Sequence, residues 1–245
     1  MNRLSLLMFL GATLFTAARP SPGAGEPVVL PTDSVDGVIF EPDLSFLNYN
    51  PYTTLSEADY QRVADELGID VASMKAVVEI EAGRTHQGFV EPGKPVINFD
   101  LSVFKSMMRK AGKSTGKYAS YEAFKRPNIK KYGSYGKAQW ARLQSARSID
   151  ASIANQSTFW GMFQIGGFNW KSCGCTSVDD FVERMSRSEA EQLELFAQFC
   201  INRDLVKYLK AKNWSQFAHH YNGPSYRKRG YHTRLSNAYN KHRKR

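Results

Sequence analysis

The sequence predicts a mainly α fold with one small β-hairpin. Three observations carry this. Apolar residues recur at three- and four-residue intervals through most of residues 55–245, as at Val71, Met74, Val77 and Val78, the period of a helix with one buried face. Several of these stretches open on Ser or Asp, which cap helix N-termini. Extended patterning is concentrated in residues 87–100, where Pro92-Gly93 marks a turn between two short runs.

Of the 245 residues, 42% are hydrophobic and 13% aromatic, enough for a sizeable core and too many for a chain disordered in bulk. The formal charge of +10 suits an anionic partner: nucleic acid, an anionic membrane or an anionic wall polymer.

Residues 1–18 read as a signal peptide: Arg3 gives a positive start, Leu4 to Thr16 an apolar run too short to span a bilayer comfortably, and Thr16-Ala17-Ala18 a cleavage site. An uncleaved anchor is the alternative. The expected protein is exported, periplasmic or secreted, with no stable membrane insertion after cleavage. Pro20 to Gly25 offers a later cleavage site, which removes both Arg3 and Arg19 and leaves 31 basic against 23 acidic residues. Residues 19–54, rich in Pro, Gly and Asp, form an arm or linker, with Val28-Val-Leu and Val38-Ile-Phe as candidate short strands.

The folded domain is expected over 55–245. Ser56-Glu-Ala-Asp59 is a variant capping box, and Gly68 ends the helix that follows. Asp70 caps a second helix, with Gly83 as its stop. Glu81 ends the apolar stripe of that helix, while Glu79 lies about 160° round the axis and should face solvent. A carboxyl at the core edge is costly to ionise, so its pKa rises and it can act as a general acid near neutral pH. Spacing alone leaves the other reading, a helix-end Glu turned into water, equally open.

The hairpin's second arm delivers Asp100, and Phe104, Met107, Met108 and Ala111 mark another helix. Residues 111–136 are basic and tyrosine-rich, either contacting a polymeric ligand or forming a solvated loop. Helix resumes at Lys137 and runs towards Ile153. Phe159-Trp-Gly-Met-Phe-Gln-Ile-Gly-Gly-Phe168 combines aromatics with glycines that permit close approach. It reads either as a sugar-contacting segment, whose Gln would find partners in hydroxyls, or as a core helix tightly packed through Gly. Ser177 caps the next helix and Ser188-Glu-Ala-Glu191 forms a capping box for the one after. Leu205, Val206 and Leu209 mark a further helix. Another, with Trp214, Phe217, Ala218 and Tyr221 on its stripe, stops at Asn222-Gly-Pro, and the last lies near Tyr231 to Tyr239.

Cys173, Cys175 and Cys200 allow one disulfide in an exported chain, between Cys200 and either of the others. No metal site is expected: the five histidines are scattered, and His219-His220 lack ligand spacing.

In this order and spacing, Ala76-Val-Val-Glu-Ile-Glu81, Trp160-Gly-Met-Phe-Gln-Ile165 and Phe217-Ala-His-His-Tyr-Asn-Gly-Pro-Ser-Tyr-Arg-Lys-Arg-Gly-Tyr231 resemble the N-acetylmuramidase family of phage endolysins and secreted bacterial proteins. The resemblance runs from about Leu55 to Tyr239. It implies a lysozyme-like helical domain that cleaves peptidoglycan glycan strands at the β-1,4 bond after N-acetylmuramic acid, bacteriolytic, with no cofactor and as a monomer. The family's catalytic Glu falls on Glu81. Trp160, Phe163, Gln164, Tyr221, Asn222 and Tyr231 would bind the sugar. Three positions depart from the family pattern: Ala82 stands where Ser is usual, Asp100 where Glu is usual, and Phe159 where Ser is common. Asp100 is the candidate second carboxylate. A lytic transglycosylase using the same Glu81 is one alternative reading, and a wall-binding protein without catalysis is another. Nucleic-acid binding does not fit the export signal or the aromatic-glycine cluster.

Overall fold

The structure, a computed structural model, describes residues 55–82 and 88–244. The expected leader over 1–18, the arm over 19–54 with its two candidate strands, and the expected stop at Gly83 lie outside the described residues.

The first helix, α1 (Glu57–Leu67), begins as its sequence predicts. The Ser56 hydroxyl accepts the Asp59 amide, and the Ser56 amide donates to Asp59 Oδ2 at 2.8 Å. Gly68 ends the helix with a left-handed φ of 61°. Asp70 accepts the Ser73 amide at 2.7 Å and starts α2 (Val71–Glu81), which buries Met74, Ala76, Val77 and Val78. The C-cap is Ala82, whose amide donates to Val78 O.

The hairpin pairs β1 (Phe89–Glu91) with β2 (Lys94–Pro95), antiparallel about Gly93 at φ 66°. It is shorter than expected. The Val96 amide donates to Gly88 O at 2.8 Å, and the chain then leaves for a second sheet. There β4 (Thr158–Trp160) lies between β3 (Ile97–Phe99) and β5 (Ile165–Gly166), antiparallel to both, with Ile97 opposite Trp160 and Trp160 opposite Ile165. Residues 159–168 are therefore not a core helix. Thr158, Phe159 and Trp160 suit a pleated strand, and Gly161 at φ 69° turns the chain back. The glycines do serve close approach, but within the protein: a Cβ at Gly167 would lie 2.1 Å from the Asn155 carbonyl oxygen, and one at Gly161 2.7 Å from Gln192 Oε1.

Asp100 starts α3 (Leu101–Lys110), with Phe104 and Met108 buried. Two short 3-10 turns and α4 (Ile129–Tyr132) then lead to α5 (Tyr135–Arg147). This helix does not run on to Ile153. Asp150 accepts the Ile153 amide and opens a separate α6 (Ala151–Gln156). Gln139 and Arg142 of α5 are buried against β3. Gln139 Oε1 accepts the Phe99 amide at 3.3 Å, and the Arg142 guanidinium donates to Phe99 O at 3.2 Å. They close the outer edge of the sheet, which would otherwise leave backbone groups unpaired.

The C-terminal part holds α7 (Val178–Met185), α8 (Glu189–Asn202), α9 (Val206–Lys210), α10 (Trp214–Asn222) and α11 (Tyr231–His242). At Ser188 only half of the expected box forms. Its hydroxyl takes the Glu191 amide at 2.9 Å, while the Glu191 carboxylate takes Arg184 Nε instead. The three cysteines are buried free thiols, so the expected disulfide from Cys200 is not formed. Burial in the core pushes the Cys175 thiol up to about 11 and the Cys200 thiol well above its ordinary range.

Helix α2 packs against α1 and along α11. At the end of α11, Lys241 and His242 meet the Glu79 carboxylate at 2.9 and 2.8 Å. Glu79 thus points away from the core stripe, as the spacing predicts, yet toward another helix rather than open water. Among the described residues no helix is long and apolar enough to cross a membrane.

Candidate active site

The buried stripe of α2 sets the site. Val77 and Val78 are at most 1% exposed, and Glu81 follows in the last turn. The C-terminal ends of α2 and α10 meet here. Gly223, at φ 78°, lets the chain turn sharply after Asn222. Asn222, itself buried, donates from Nδ2 to Glu81 Oε2 at 2.9 Å. Glu81 Oε1 is also buried and has no hydrogen-bond partner among the described residues, and neither has Asn222 Oδ1.

Burial of the carboxyl pushes the Glu81 pKa up to about 7, against the Asn222 hydrogen bond and the charge of Arg234, which both pull it down. Its place at the carbonyl end of α2 works in the same direction as burial, because that end of a helix disfavours negative charge. The group is therefore an acid that holds its proton close to neutral pH. One oxygen is fixed by Asn222 and the other is unclaimed. The proton that the acid holds would satisfy the open Glu81 oxygen.

The other residues expected at the site fall into three groups. Asn222 reaches Glu81. Trp160, Phe163, Tyr221 and Tyr231 stand in the core behind it. Trp160 is fully buried, its Nε1 donating to Asn155 O. Phe163 stacks on Phe196 with centroids 4.4 Å apart. The Tyr221 hydroxyl donates to Phe163 O at 3.1 Å, and its ring stacks on Phe217. These side chains build the wall, and the Trp160 indole and Tyr221 hydroxyl spend their polar groups on backbone carbonyls rather than on a sugar. Gln164 is partly exposed and sits at a φ of 49°, a costly conformation outside glycine. Its Nε2 donates to Gly161 O at 2.9 Å, closing the turn between β4 and β5.

Asp100 is held through one oxygen at the start of α3. Its Oδ1 accepts the Ser102 amide, the Ser102 hydroxyl and the Val103 amide at 2.8, 2.6 and 3.1 Å. Among the described residues it shares no hydrogen-bond partner with Glu81. Arg234, which is not among the candidate residues of the sequence, is the cation nearest in effect to the acid. Its only sequence signal is its place one turn after Tyr231, whose ring its guanidinium overlies at 5.3 Å. Among the described residues no three His, Cys, Asp or Glu side chains are grouped as a metal site requires.

Comparison with known proteins adds a family and a structural relative. The family model described as N-acetylmuramidase matches residues 70–243. The structure is similar to the crystal structure of the Burkholderia AP3 phage endolysin, with a TM-score of 0.66 and 36% sequence identity over 78% of this chain and 72% of that one. No curated protein matches the chain.

Proposed function

Because the chain belongs to the N-acetylmuramidase family, we propose that it is a peptidoglycan hydrolase that cleaves the β-1,4 bond between N-acetylmuramic acid and N-acetylglucosamine, with Glu81 as general acid. The observation that carries this is the buried Glu81 carboxyl, with its pKa near 7 and one oxygen free.

In this reading Glu81 Oε1 carries the proton. It passes the proton to the glycosidic oxygen as the bond to C1 of the muramic acid ring breaks and oxocarbenium character develops there. The Asn222 bond holds the carboxyl in place and stabilises the carboxylate left behind. Two nucleophiles compete for C1. If water attacks, a base takes its proton and a reducing end results. If the muramic acid 6-hydroxyl attacks, Glu81 itself recovers the proton and an anhydro end results. In the hydrolase the candidate base is Asp100, whose Oδ1 caps α3 while Oδ2 is left to activate water; the lytic transglycosylase is the alternative and needs no second carboxylate.

The export of the protein through residues 1–18, the arm over 19–54 and the catalytic domain over 55–245 belong to the same proposal. The basic surface, with 33 basic against 23 acidic residues, suits a wall rich in peptide carboxylates.

The test digests purified peptidoglycan with the protein and with Glu81→Gln and weighs the soluble fragments by mass spectrometry. Reducing muramic acid ends, lost in the variant, establish the hydrolase. Ends ~18 Da lighter, the mass of the missing water, establish the transglycosylase. Pelleting on the wall without any release leaves a binding module.

A further inference from the structure

Among the described residues, the tyrosine-rich stretch 111–136 makes no hydrogen bond to Glu81 or Asn222. Its Tyr132 nevertheless forms one wall of a pocket of about 250 Å³ between the β1–β2 hairpin and α5, with Trp140 and Ala141 as further apolar walls and Glu91, Lys94 and Lys137 on the rim. The walls are held firmly. Trp140 donates from Nε1 to Pro95 O at 2.9 Å and meets Trp160 edge-on at 5.9 Å. Tyr132 has the Lys131 ammonium 4.8 Å from its ring centroid. On the rim, the two Glu91 oxygens take Lys94 and Lys137 at 2.9 Å each. One carboxylate against two ammonium groups leaves a surplus positive charge. None of these residues hydrogen-bonds to Glu81.

We propose that this pocket is a second glycan-binding site, which holds one sugar of a peptidoglycan strand away from the bond being cut. The identity of the polymer rests on the proposed function. A pyranose ring offers an apolar C–H face and a polar edge, and the pocket offers the complement: aromatic walls below, charged groups above. Its volume lies under the ~300 Å³ at which pockets for larger ligands begin, which suits a single ring. The surplus charge matches peptide carboxylates carried by the same strand. A second hold on an insoluble polymer raises the local concentration of cleavable bonds at the acid.

The test uses the soluble disaccharide-tetrapeptide of peptidoglycan as probe, titrated into Glu81→Gln to prevent turnover, with the Trp140 indole followed by NMR. The indole resonance is expected to shift, and to stay still in the double variant that adds Ala141→Arg, which fills the pocket. Tyr132→Ala removes a wall instead. It should lower the ratio of digestion on insoluble wall to digestion on soluble strands about fivefold, the worth of one aromatic contact. An indole that does not move, or that moves equally with Arg at position 141, overturns the site. Indole shifts alongside a native protein that releases no fragments would instead sink the proposed function and leave the glycan site standing.

Discussion

Asn222 donates a 2.9 Å hydrogen bond to Glu81 across 141 residues of sequence. It joins the C-terminal ends of α10 and α2 and reaches one carboxyl oxygen only. The bond works against burial, which is the larger influence on this acid. Asn222 therefore both orients Glu81 and limits how far its pKa rises.

Removing that donor should move activity and its pH dependence together. In Asn222→Leu the carboxylate loses its hydrogen bond, so the Glu81 pKa rises beyond about 7. The fall in turnover on the alkaline side then begins at higher pH. At its new optimum the variant should be about tenfold slower, the worth of one hydrogen bond to a charged group. A pH profile of kcat on soluble glycan strands measures both effects, and an unshifted alkaline limb would count against the arrangement.

Arg234 pulls the Glu81 pKa in the same direction as Asn222, but from an exposed position on α11. Arg234→Gln should shift the alkaline limb upward by less than the Asn222 variant does. Because the guanidinium is open to solvent, salt should erase the difference between Arg234→Gln and the native protein. The Asn222 shift should persist in salt. Profiles at low and high ionic strength separate the two.

Stability should report the same burial. Below the ordinary value of 4.5 Glu81 is protonated whether folded or not, and nothing is lost. As pH rises from 4.5, the unfolded chain releases the proton while the folded one keeps it up to about 7. The stability that protonation gives is thus lost through this window and gone above it. Glu81→Gln, which stays neutral and still accepts from Asn222, should match the native Tm near pH 4. At pH 8 it should be the more stable of the two by up to about 3 kcal/mol, with a correspondingly higher Tm. Equal melting temperatures at both pH values would mean that the carboxyl is not buried in solution.

The sequence makes α2 and its acid legible because local rules suffice. Asp70 caps, the 3.6-residue stripe ends on Glu81, and nothing distant is needed to read either. The partner of that acid, Asn222, is readable only as a helix stop. The sheet is harder. β3 has three residues and finds its partner, β4, some sixty residues later, so neither strand shows the alternation that identifies a hairpin. α5 hides its packing as well, since it buries Gln139 and Arg142 against a sheet edge where an apolar stripe would be sought. The aromatics Trp160, Phe163 and Tyr221 attract attention as sugar contacts, yet fill the core. A residue-type pattern does not say which side of a wall a ring occupies.

Gln192 is the polar residue on which that wall most depends. It is fully buried on α8, its Oε1 accepting the Met162 amide at 2.8 Å and its Nε2 donating to Gly88 O and Met185 O at 3.2 and 3.0 Å. It ties the β4–β5 turn, the start of the hairpin and the end of α7 to one helix. Gly88 and Gly161 both lack the Cβ that would strike it, at 2.7 Å in each case. Gln192→Leu keeps the volume but strands the Met162 amide and the Met185 carbonyl in the core, while Gly88 O keeps the Val96 amide. Leaving buried polar groups unpaired costs about 1–3 kcal/mol each. Partial relaxation should hold the total to about 3 kcal/mol in urea unfolding. Gln192→Glu should cost at least as much, because it adds a buried charge beside Glu189, whose own pKa is already raised by burial. If Gln192→Leu unfolds at the native midpoint, the turn and hairpin are held by the surrounding apolar core instead.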